Sequence, residues 1–285
     1  MKLGLLLLPL LLSLLMVGSP AAGSSNAKHA PTDDQFGIKF GSSGIPSNTQ
    51  GLQVQYSAST TGVALSCPNG GGTIAPVDTV RTNGGSPKEW MLQGSVTLVC
   101  SGSGSGTVWT TGYEFFANNN SYYGKTISTY STSSYPTISG TIKIYYTGSG
   151  WRLEIYVSQT GTTDSYNYPG AQGTKLDQSA PDNWAAVETD ADQTGISISS
   201  TFNWHIERPS FYISGTWQYY NVQGSTYTEL ITYELFAPLA QGNTVGVYPL
   251  STPGVQVYYG STYGTGDGQE MIWCISGSCP LTPGS

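Results

Sequence analysis

Two side chains in this sequence have the type and setting for acid–base work on water, Glu188 and Gln93. Glu188 stands in Trp184-Ala185-Ala186-Val187-Glu188-Thr189-Asp190. Alternate side chains of a β-strand share a face, so Trp184, Ala186 and Glu188 point one way and Ala185, Val187 and Thr189 the other. Gln93 stands in the stretch from Glu89 to Val99. There Leu92, Val96, Leu98 and Cys100 share an apolar face interrupted by Gly94, and Met91, Gln93, Ser95 and Thr97 share the opposite one. A carboxylate can act as general base towards water, and an amide NH₂ can donate to a developing oxyanion. In acid a glutamate suits the first task, because the useful pKa of a base lies near the operating pH.

Other chemistries lack their residues. The two histidines are His29 and His205. A histidine-activated nucleophile or a multi-histidine metal site would have to depend on His205, which is expected to pack beside Trp204. No Gly-x-Ser-x-Gly elbow, phosphate loop or dinucleotide fingerprint occurs. The Ser-Gly run at 101–106 precedes neither a lysine nor a helix and reads as a flexible hairpin tip. No metal or cofactor is expected. The four cysteines, Cys67, Cys100, Cys274 and Cys279, suggest disulfides in a secreted chain. Of the possible connectivities the spacing favours Cys67–Cys100 and Cys274–Cys279, the latter pair separated by Ile-Ser-Gly-Ser.

The elements that must position Gln93 and Glu188 read as strands. The chain carries 37 glycines and 16 prolines, and no window holds a helical apolar stripe beyond a couple of turns. Short strands with frequent turn signals imply an all-β sandwich or barrel. The clearest unit is the hairpin of 141–146 and 151–157 around Thr147-Gly148-Ser149-Gly150. A central turn there sets Ile144 opposite Leu153, Ile142 opposite Ile155 and Lys143 opposite Glu154, which leaves one apolar face and one solvated face holding Lys143, Arg152 and Glu154. Further strands are expected at 53–56, 63–67, 108–116, 196–205, 211–222, 227–236, 245–248, 255–259 and 271–274. Residues 158–183 read as a long polar loop, and Asn118–Ser121 as a turn carrying the glycosylation acceptor Asn119-Asn120-Ser121. One-sided strands of this number pack as two antiparallel sheets, one of which presents a concave outer face lined by Gln93, Glu114, Trp184 and Glu188.

The N-terminus reads as a secretory signal peptide over residues 1–23: Met1-Lys2, an apolar run to Val17, then small residues to Gly23. That run is short of the roughly 20 residues a membrane span needs, and every later apolar run is broken by Gly, Pro or a polar residue. A flexible segment at 24–35 and a single β-domain at 36–285 are expected to follow, in a secreted, extracellular protein. At 12% aromatic and 9% charged residues the chain should fold rather than remain disordered. The formal charge is −7 at pH 7; with all 17 carboxylates protonated, 10 Lys/Arg and two His would make it +12. A chain with few carboxylates has few paired ones to lose in acid, so the composition suits an acidic exterior. A neutral polar surface in a secreted protein accounts for it equally. No basic patch points to nucleic acid.

The order of these features resembles the eqolisins, the glutamic peptidases, over roughly residues 88–195. The similar pieces are Met91-Leu92-Gln93-Gly94, Tyr113-Glu114-Phe115-Phe116, the 141–157 hairpin and Ala186-Val187-Glu188-Thr189-Asp190. Gly94 replaces a hydroxyl residue of that family's pattern, and Thr189 separates Glu188 from Asp190. The resemblance implies an antiparallel two-sheet β-sandwich of concanavalin-like, jelly-roll type and a secreted acid endopeptidase acting on polypeptides. By that resemblance Glu188 is the general base, and Gln93 positions the water and stabilises the tetrahedral oxyanion. Glu114, Trp184 and Trp109 are the expected substrate-binding residues. The charge-poor composition is also similar to that of thermopsin-like acid proteases. Two other readings stay open. A carbohydrate-active sandwich would be a lectin-like module or a glycoside hydrolase, with Glu114 and Glu188 about 5–5.5 Å apart if it retains configuration. A non-catalytic surface or filament protein would leave Gln93 and Glu188 apart. The distance between those two side chains separates the readings.

Overall fold

Apolar side chains that alternate along short, turn-bounded runs must find a second layer to cover them, and here two sheets cover one another. The structure, a computed structural model, describes residues 34–40, 45–67, 72–84, 90–102, 106–116, 122–178, 183–189, 196–219, 229–233, 245–249, 254–259 and 270–274. One sheet runs β18 (Glu270–Cys274), β15 (Glu229–Tyr233), β1 (Asp34–Lys39), β11 (Trp184–Thr189), β4 (Ile74–Arg81), β5 (Met91–Cys100), β6 (Thr107–Phe116), β7 (Tyr122–Ser131). The other runs β10 (Thr162–Tyr168), β9 (Trp151–Val157), β8 (Thr137–Tyr146), β2 (Thr49–Ser59), β13 (Asn203–Ile213), β17 (Gly254–Tyr259), β16 (Val245–Pro249), with β14 (Thr216–Tyr219) paired to β13. A small ladder joins β3 (Val63–Leu65) to β12 (Ile196–Ile198). Pairing among the described residues is antiparallel throughout. The protein is an all-β, antiparallel sandwich, and no described helix is long and apolar enough to cross a membrane.

The core lies between the inner faces. Leu92, Val96, Leu98, Ala185 and Val187 from the first sheet meet Leu52, Val54, Ile142, Ile144, Leu153 and Ile155 from the second, all fully buried. The 141–157 hairpin has the expected register, with Ile144 opposite Leu153, Ile142 opposite Ile155 and Lys143 opposite Glu154. On its outer face Arg152 pairs with Glu154 at 2.9 Å and the Lys143 ammonium lies 5.9 Å from the Trp217 ring centre. Cys67 and Cys100 are disulfide-bonded, with Cα atoms 5.5 Å apart.

Several elements differ from expectation. The polar stretch 158–183 contains β10, whose Asp164, Tyr166 and Tyr168 share the face turned to the first sheet. Its composition is polar, yet threonine and tyrosine favour strands, and Asp164 is satisfied by the Ser128 and Tyr130 hydroxyls at 2.7 Å each, together with that of Thr111. This carboxylate ties the edge strands of the two sheets, β7 and β10, to each other. The 196–205 run breaks into β12 and β13 at a turn closed by Phe202 N–H to the Ser199 carbonyl, 2.9 Å. The 211–222 run breaks at Ser214 and Gly215, both in the left-handed region with φ of 51° and 82°. Strands β4 and β7 form in stretches not read as strands. His205 does not pack on Trp204: alternation turns the indole into the core, and the imidazole bonds to Glu207 and Asn203 at 3.0 Å each. The signal segment, the 119–121 acceptor, residues 103–105 and the Cys274–Cys279 pairing lie outside the described residues.

Candidate functional site

Gln93, Glu114 and Glu188 all stand on the outer face of the first sheet, because each occupies the alternate set from the buried Leu92, Phe115 and Val187. Glu114 lies directly opposite Gln93 across β5 and β6. On the other side of β5, Gln93 lies opposite Thr79 of β4, and Thr79 opposite Trp184 of β11. Glu188 sits four residues further along β11 than Trp184.

The Gln93 amide nitrogen nevertheless donates to the Glu188 carboxylate at 3.3 Å. In a flat sheet two strand spacings and four residue rises would set their Cα atoms on the order of 16 Å apart. Two extended side chains and a hydrogen bond do not span that distance. The contact therefore requires the sheet to twist and curl towards this face, making it concave at the site. Behind the site the second sheet packs closely on Gly94, where a Cβ would lie 2.3 Å from Leu153 Cδ1 and 3.0 Å from Ile142 Cγ2.

The amide is held at its other end too. Thr79 Oγ1 donates to Gln93 Oε1 at 2.9 Å, and the Gln93 backbone carbonyl accepts the Tyr168 hydroxyl at 2.7 Å. Thr79 is 0% and Gln93 5% exposed, whereas Glu188 is half-buried and reachable by water. Around them Ala75, Val77, Met91, Phe116, Trp184 and Ala186 make a second apolar cluster on the same face.

The chain resembles solved glutamic peptidases. Scytalido-glutamic peptidase, solved with a peptide-based transition-state analogue, is 11% identical, with 80% of this chain covering 98% of that one at a TM-score of 0.49. SCP-B, an eqolisin solved with the tripeptide Ala-Ile-His, is 10% identical with the same coverages and a TM-score of 0.45. The CBM2 module of a Lactobacillus casei phage evolved Dit covers 77% of this chain and 69% of its own at 10% identity and a TM-score of 0.28. No protein-family model and no curated protein matches the chain. At such identities and TM-scores these likenesses decide nothing about activity, which rests on the geometry of the site itself.

Trp184 stands beside Thr79 on the site face but is 4% exposed, a wall of the apolar cluster rather than an open substrate platform. Trp109 is elsewhere. It is 0% exposed between the sheets, donates its indole N–H to the Tyr135 carbonyl at 2.9 Å and lies 5.8 Å from the Trp204 ring. It stands five positions before Glu114, an odd number, so β6 turns the two to opposite faces.

Sequence reasoning missed all of β4, and with it Thr79 and Asp78. Pro76 argues against a central strand because it has no N–H to give. The β4–β5 register accommodates it, pairing Ile74 with Leu98 and resuming at Val77 with Ser95. The available signal was the alternation of Ala75, Val77 and Thr79 against Ile74 and Val80. Asp78 points the other way from Thr79, into the core between Gly94 and Ala185. Neither carboxyl oxygen has a hydrogen-bond partner among the described residues. Burial raises its pKa well above the ordinary value. Burial also lifts the Tyr168 phenol well above its usual range, and the charge of Asp78 adds to this. Among the described residues no three His, Cys, Asp or Glu side chains gather as metal ligands.

Proposed function

We propose that this protein is a secreted acid endopeptidase of glutamic type, with Glu188 as general base and Gln93 as oxyanion donor. The observation that carries this reading is the 3.3 Å hydrogen bond between Gln93 Nε2 and Glu188 Oε1 on a concave sheet face. A water held between them and a peptide loses a proton to the Glu188 carboxylate as its oxygen bonds to the scissile carbonyl carbon. The carbonyl π pair moves onto oxygen, where the second amide hydrogen of Gln93, which has no partner among the described residues, can donate. On collapse the C–N bond breaks, and Glu188 returns its proton to the departing nitrogen. The products are a carboxylic acid and an amine, and Glu188 is a carboxylate again. The charge-poor composition supports work in acid outside the cell.

The test is casein cleavage at acidic pH by the purified protein and two variants. Glu188→Gln should lower kcat by about 10²–10⁴-fold and Gln93→Ala by about 10²–10³-fold, each with the folded circular-dichroism spectrum retained; Gln93→Ala should also lower the unfolding midpoint, because the buried Thr79 hydroxyl loses its acceptor. Chelators and serine-directed reagents should leave the rate as it is. Full activity in Glu188→Gln, whether or not Gln93→Ala is also active, would end the assignment.

A further inference from the structure

Resting on the glutamic-peptidase reading, we propose that Thr79 is a positioning residue that keeps the Gln93 amide turned with its NH₂ towards Glu188 throughout the reaction. An amide has one accepting end and one donating end, and an ionised carboxylate only accepts. While Glu188 is ionised, its charge alone would draw the Gln93 nitrogen towards it. Once Glu188 has taken a proton from water it can donate, and Glu188 no longer dictates which end of the amide faces it. An amide that turned over at that moment would aim oxygen at the reacting centre and remove its NH₂ from the oxyanion, at the stage when the donor is needed.

Thr79 opposes that turn. Its hydroxyl donates to Gln93 Oε1 at 2.9 Å, and the side chain is 0% exposed. With the amide reversed, Nε2 would face Thr79 Oγ1, and the buried threonine hydrogen would lose its acceptor with no solvent to replace it. The Tyr168 hydroxyl, on the Gln93 backbone carbonyl at 2.7 Å, fixes the strand but is indifferent to which way the amide points. The discriminating contact is therefore the threonine hydroxyl.

The experiment compares Thr79→Val, which has the same shape without the hydroxyl, with Thr79→Ser, which keeps it, on one peptide substrate. Thr79→Val should lose about ten- to a hundredfold in kcat with KM within about twofold, because the loss falls on transition-state stabilisation. Thr79→Ser should stay within about threefold of the parent, since the donor remains. In a Gln93→Ala background Thr79→Val should change nothing further, as the two then act as one unit. If Thr79→Val does not fold, Thr79→Ala removes the same hydroxyl without added bulk and carries the same expectation. Undiminished kcat without the hydroxyl, a loss confined to KM, or a serine variant as slow as the valine variant overturns the role of Thr79. Those results, with Glu188→Gln inactive, leave the peptidase reading standing; an active Glu188→Gln overturns that reading itself.

Discussion

Asp78 gives the fold a preference for acid that can be measured without a substrate. Its carboxyl is 0% exposed, unpartnered among the described residues, and raised well above the ordinary 3.8 by burial. The unfolded chain releases this proton near 3.8, whereas the folded chain keeps it to much higher pH. The stabilisation is therefore fully present below 3.8 and is lost as pH rises towards the folded-state value. Within that window the folded state loses stability in proportion to pH, by about 1.4 kcal/mol for each unit, the constant that one retained proton sets. For a domain of this size that corresponds to a fall in Tm of roughly 3–6 °C for each pH unit. Asp78→Asn cannot ionise, so its stability should lack this slope, whatever constant cost the amide brings at every pH. Thermal unfolding of both proteins by circular dichroism between acid and neutral pH reads the difference. Other titrating groups cancel between them, so the difference isolates position 78. A wild-type minus Asp78→Asn difference that stays flat as pH rises would refute the reasoning and place a charged, compensated carboxylate at this position.

Two further outcomes test the packing behind the site. Gly94→Ala should destabilise the fold by about 1–3 kcal/mol in urea unfolding, because its new methyl meets Leu153; Leu153→Val, added to it, should restore part of the loss. Removing the Cys67–Cys100 bond, which spans 33 residues, by a double serine substitution should cost on the order of 4 kcal/mol. Reductant should lower the wild-type unfolding midpoint at least as far as that double substitution does.

What could be read from the sequence follows from how strongly neighbours constrain each element. The 141–157 hairpin was legible to the residue, since a short turn and matching apolar faces leave one register. The faces of 91–98 and 184–189 were legible for the same reason, and they put Gln93 and Glu188 on the site side. Their contact was not, because it depends on how far the sheet curls, which no local pattern records. Strand β4 was hidden by Pro76 and Asp78, one tolerated at a gap in the ladder and the other buried as a carboxyl that burial keeps neutral near its usual titration range. Strand β10 was hidden by its polarity, although Asp164 has hydroxyl partners on the facing sheet. Trp109 was misplaced by reasoning from residue type rather than parity along β6.

Thr79, Gln93, Glu114 and Glu188 all lie within strands, none in a connecting loop. Loops can then lengthen or change composition while these four side chains keep their spacing. The vulnerability lies in reading frame. A single residue inserted into β4 ahead of Asp78 would turn every later side chain of that strand over, because the period is two. Thr79 would enter the core and Asp78 would take its place beside Gln93. One codon would thus exchange the neutral hydroxyl that steadies the amide for a third carboxyl facing the Glu188 site.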